Sequence, residues 1–153
     1  MEYKMIDTVM AKGINPDMTT NILVSPLPEK LKQTIIDSGL CRPSRCFDNS
    51  WSIVMNDLFP GSEYVLAFAS RVLPVEHSII FVNGEYYDPT WELHLGNIGT
   101  EYVMLAKWSR KELLDVAKKV KGQDGCIYPP MVRFLETSQH FNKLFLRSNV
   151  SKV

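Results

Sequence analysis

Long apolar runs are missing from this chain. None approaches the ~20 residues that a bilayer-spanning helix needs, so no membrane association is expected. The opening stretch, MEYKMIDTVMAKGINPD, is broken by charges, so a secretory signal is not expected either. Cysteine is scarce and odd in number, with three in 153 residues. That argues against a disulfide framework and for a reducing cytoplasm with free thiols. Neither charge is in surplus, since Lys plus Arg and Asp plus Glu are 17 each. A nucleic-acid partner, which rewards a basic surplus, is not expected. The one locally basic stretch, RKELLDVAKKVK, reads as a solvated helix face. No repeat, low-complexity segment, phosphate loop or dinucleotide fingerprint is visible, and no cofactor is expected.

Apolar residues are plentiful, at 45% of the chain. That suffices for a packed core in one domain over residues 1–153, with a catalytic core at about 28–108. Glycine and proline punctuate the chain. Residues 1–12 are expected to form a short helix with Met5, Val9 and Met10 inward, and NILV (21–24) a short edge strand. Residues 28–39 read as a helix with Pro28 in its first turn, a Leu31, Ile35, Ile36 stripe, and Gly39 just past its end. A second helix begins at Cys46, capped near Ser44 or Arg45. Phe47, Trp51, Val54, Met55 and Leu58 share its apolar face, and Pro60-Gly61 ends it.

Residues 62–73 read as a central strand, and residues 102–108 as another. Ser109 with Glu112 forms a capping box for a helix to about Val120, which Gly122 closes. Residues 122–130 are a loop. A last helix runs from Pro130 to about Leu146. Helices flanking a central antiparallel sheet make an α+β domain.

Asn83-Gly84 is a strong hairpin signal between residues 76–82 and 85–91. A symmetric turn there opposes Val82 to Glu85, Phe81 to Tyr86, Ile79 to Asp88 and His77 to Thr90. His77 and Asp88 then lie on one sheet face as diagonal neighbours, with Cα atoms roughly 5.5–8 Å apart. A carboxylate that holds an imidazole, and an imidazole that takes a thiol proton, form a nucleophilic array if Cys46 meets them. A helix start favours the sulfur anion and offers N–H groups to an oxyanion. The array depends on whether the Cys46 helix packs toward the His77 face.

The order of these elements resembles the transglutaminase-like branch of the papain-fold cysteine enzymes, and more narrowly small phage and bacterial proteins of that type. The residues that carry the resemblance are Cys46 with Asn49-Ser50, the run 64–69 (YVLAFA), Pro74-Val75-Glu76-His77, and Gly84-Glu85-Tyr86-Tyr87-Asp88-Pro89-Thr90. The resemblance implies nucleophile Cys46, base His77 and orienting Asp88. It also implies acyl transfer from an amide or thioester, small or protein-borne, as in a peptidase, amidase or deamidase. Phe47 stands where those enzymes have tryptophan, and Ser78-Ile79 where they have an aromatic.

Asn49, Ser50, Tyr86 and Trp91 are candidates for lining the substrate cleft. Cys41 is a rival nucleophile, while Cys126, His94 and His140 read as structural or surface residues. A zinc site from Cys41, Cys46, His77 and Cys126 lacks paired C-x-x-C spacing, so no metal is expected. The other functional class to weigh is a non-catalytic binding or inhibitor protein of phage origin on the same fold.

Overall fold

A computed structural model describes residues 4–120 and 124–146. Five strands form one antiparallel sheet: β1 (Thr20–Ile22), β2 (Glu63–Ser70), β3 (Pro74–Val82), β4 (Glu85–Tyr87) and β5 (Glu101–Ser109). Their spatial order is β1-β5-β2-β3-β4, so the apolar strand β2 is central. Beyond β1 the chain crosses to the far edge, where Val24 bridges Tyr86, and the sheet curls. The helices are α1 (Met5–Ala11), α2 (Glu29–Ser38), α3 (Cys46–Met55), α4 (Pro89–Leu95), α5 (Arg110–Lys119) and α6 (Val132–Leu135). The domain is therefore α+β. Among the described residues no helix is long and apolar enough to cross a membrane.

The two sheet faces bury separate clusters. Tyr64, Leu66, Phe68, Ile80, Val82, Val103 and Leu105 pack with Ile53 and Val54 of α3 and Leu113 and Val116 of α5. The other face gathers Val65, Ala67, Ala69, Ile79 and Tyr102, with Trp91, Phe81, Tyr86 and Met104 at its margin. A bulge divides β5. Leu66 pairs with Ala106 but Ala67 with Met104, which leaves Leu105 as the extra residue. The bulge reverses side-chain parity along β5. Without it, Tyr102 and Met104 would point at the helices.

The hairpin has the expected register, with Val82 opposite Glu85, Phe81 opposite Tyr86 and Ile80 opposite Tyr87. Asn83 and Gly84 both have positive φ, as such a turn requires. The return arm, expected to run to Trp91, instead stops at Tyr87. Asp88 caps α4 by accepting from the Trp91 N–H, and Pro89 takes the first helical position. Proline cannot donate to a ladder and fits the first turn of a helix, so Asp88-Pro89 reads as a helix start.

Other expectations need smaller corrections. Met10 and Ile36 are 47% and 51% exposed, because the short helices α1 and α2 bury only a narrow line around Met5, Val9 and Ile35. The helix at Cys46 ends at Met55, not at Pro60-Gly61, and Asn56 closes it. Its fully buried positions are Asn49, Ser50, Ile53 and Val54, while Phe47, Trp51, Met55 and Leu58 are half-buried. The face is rotated because two polar residues face inward, which an apolar period cannot register. The 62–73 strand ends at Ser70.

The last helix is broken into α6 and a 3-10 turn, Gln139–Leu144. Asn15 N–H donates to Leu144 O at 2.7 Å and Leu146 N–H to Gly13 O at 2.8 Å, so pairing with residues 13–15 outcompetes the helix. The Ser109–Glu112 capping box is present in both directions. The helix stop expected at Gly122 lies outside the described residues.

Candidate active site

Cys46 is the first residue of α3, and Arg45 occupies the N-cap without a side-chain cap bond. The loop before it is pinned from inside the helix. Asn49 accepts from the Arg42 N–H at 2.9 Å and donates to the Arg42 carbonyl at 2.8 Å and the Thr90 hydroxyl at 2.9 Å. One buried amide thus ties the start of α3 to the start of α4. Asn49 and Ser50 beside it are both buried.

His77 lies on β3 and shares the face of Ile79. Its Nε2 meets Asp88 Oδ2 at 2.8 Å, with both side chains buried. β4 pairs only with Ile80–Val82, so beyond Ile80 that flank of β3 carries no strand. α3 packs chiefly along β3. The start of α3 also bears on this imidazole, since Cys46 is close enough to act on it electrostatically.

Burial alone would lower the pKa of this imidazole. The bond to Asp88, the bond to Cys46 and the Asp88 charge outweigh burial and raise it from 6.5 to about 9. His77 is therefore an imidazolium at neutral pH.

Trp91 stacks on His77 with ring centroids 4.0 Å apart and planes at 23°. Its indole covers the buried pair. The Arg71 guanidinium lies 5.9 Å from the Trp91 ring and donates to the Asn97 carbonyl at 2.7 Å. Tyr86 sits further along, where its ring lies tilted at 51° to Phe81 with centroids 4.7 Å apart and its hydroxyl accepts from Lys107 at 3.2 Å.

Cys41 is half-buried. Burial comes first in pushing its thiol up to about 11, against a bond from Thr90 and with help from the Asp88 charge. It stays protonated at neutral pH, unlike a nucleophilic thiolate. Cys126, His94 and His140 are exposed. Among the described residues no group of three or more His, Cys, Asp or Glu is placed to hold a metal ion.

Two participants were not singled out from sequence. Tyr102 on β5 donates to Asp88 Oδ2 at 2.6 Å, and the bulge at Leu105 turns it to this face. Thr90 joins Asn49 and Cys41. The Asp88-Pro89 helix start was the available signal for Thr90, because it places Thr90 in the first turn of α4. No sequence signal marks the bulge.

No family model, curated protein or solved structure matches the chain. Its class thus rests on fold and site: an α+β domain with a cysteine at a helix start and a buried histidine–aspartate pair.

Proposed function

We propose that the chain is a cysteine-dependent hydrolase or acyltransferase acting on an amide or thioester, built on a papain- and transglutaminase-like core. One observation carries this reading: the buried His77 ring is held by Asp88 at 2.8 Å and feels the Cys46 thiol at the start of α3. A thiol that served only as packing would need no such neighbour.

With the proton of the Cys46–His77 pair on the imidazole, the sulfur attacks the substrate carbonyl carbon, forming the S–C bond. The carbonyl oxygen becomes an oxyanion. The first bond along α3 runs from the Asn49 N–H to Arg45 O at 2.7 Å, so the helix leaves the N–H groups of Cys46, Phe47 and Asp48 unused. These groups receive the oxyanion. The imidazolium protonates the departing amine or thiol, and the C–N or C–S bond breaks. Water or an amine then attacks the thioester, His77 takes its proton, and the thiol leaves reprotonated. Asp88 keeps the ring oriented and its charge balanced throughout.

The test is intact-mass analysis with iodoacetamide and with a small thioester. At about pH 7, Cys46 should alkylate well ahead of the exposed Cys126, and His77→Ala should slow it at least about tenfold. The thioester should leave an acyl adduct that Cys46→Ala abolishes. A Cys46 no faster than Cys126, with no adduct, refutes the enzyme and returns the chain to the class of binding proteins.

A further inference from the structure

We propose that Tyr102 is a positioning residue of this site: its hydroxyl shares one Asp88 oxygen with His77 and limits how strongly the carboxylate holds the imidazolium proton. Asp88 Oδ2 accepts from Tyr102 at 2.6 Å and from His77 at 2.8 Å, and Oδ1 accepts from the Trp91 N–H at 3.3 Å. The phenol has one hydrogen. The Gly99 N–H donates to its oxygen at 2.7 Å, which directs that hydrogen to Asp88.

The surroundings are built for this bond. A Cβ on Gly99 would fall 2.7 Å from the Ser70 carbonyl oxygen and 2.8 Å from the Trp91 ring, so only glycine brings its N–H this close. The β5 bulge aims Tyr102 at the His77 side of the sheet.

The direction of the effect follows from charge. When the imidazole is neutral, Asp88 relies most on Tyr102. When the imidazole is protonated, the two charges compensate each other. Removing the hydroxyl destabilises the neutral-imidazole state more, so the ring should hold its proton to higher pH. The other groups around the pair do not compete for Oδ2. Cys46 acts on the imidazole, Arg71 lies beyond Trp91, and Cys41 is bonded to Thr90. Glu76, next to His77 in sequence, is turned to the Val132 N–H. For catalysis the inference rests on the Cys46–His77–Asp88 reading: Tyr102 keeps the imidazolium acidic enough to release its proton to a leaving group.

The experiment follows the ring carbon-bound proton of His77 by NMR against pH in the Cys46→Ala protein. The thiol is then absent, and the outcome does not depend on its being a nucleophile. Tyr102→Phe should raise the His77 midpoint by about half a pH unit or more. Placing 3-fluorotyrosine at 102, a stronger donor of nearly the same shape, should lower it. Midpoints that stay put, or that move the same way in both proteins, overturn the proposal. If Tyr102→Phe does not fold, the fluorinated protein decides alone. Alkylation of Cys46 in the unaltered chain tests the enzyme reading separately.

Discussion

Raising the pH should weaken this fold through His77 over a defined window. The folded pKa is about 9 against 6.5 for the free side chain. Between those values the unfolded chain has released the proton and the native chain still holds it. Stability therefore falls with pH there, by about 1.4 kcal/mol per unit. The contribution is fully present below about 6.5, totals about 3 kcal/mol, and is gone above about 9. That is a large share of a typical domain stability of about 5–15 kcal/mol. Urea unfolding of the wild type and of His77→Gln, at steps across this window, measures it. The mutant curve should be flatter, with the gap between the two closing toward alkaline pH. Parallel curves would show that the buried pair does not hold the extra proton, and the electrostatic account of the site would fail with it.

Three further outcomes follow from packing and hydrogen bonding. Gly99→Ala forces a Cβ to within 2.8 Å of the Trp91 ring and should cost about 1–3 kcal/mol in urea unfolding. Asn49→Ala takes the side-chain partner from the Arg42 N–H and carbonyl and one partner from Thr90, and should cost roughly 2–4 kcal/mol; Cys46 alkylation should slow with it as the helix start loosens. Ser109→Ala removes the capping box far from the site and should cost about 1 kcal/mol in the same unfolding assay, with the Cys46 alkylation rate unchanged.

Much of the frame was legible because it rests on local rules. Asn83-Gly84 can occupy positive φ, and it set the hairpin register through Ile80. The Ser109 capping box and the Gly39 helix end were equally direct. Misreadings arose where tertiary partners competed with local pattern. The apolar period places the α3 stripe elsewhere, whereas Asn49 and Ser50 face inward, Asn49 toward Thr90 far along the chain. The last helix yielded to pairing with residues 13–15. His77 and Asp88 do meet, but by a different route from the diagonal strand pair expected. Asp88 leaves the sheet and reaches back as a helix cap.

The sequence by itself determined that a thiol opens a helix, that an imidazole lies in a strand, and that a tight turn brings a carboxylate back toward it. Those facts depend on residues a few positions apart. The tertiary structure decided whether the three meet. β4 ends at Tyr87, so Asp88 leaves the sheet and returns to His77 from the start of α4. The bulge at Leu105 turns Tyr102 toward Asp88. Both are outcomes of long-range strand pairing, where one residue of register or one missing rung changes which side chains share a space.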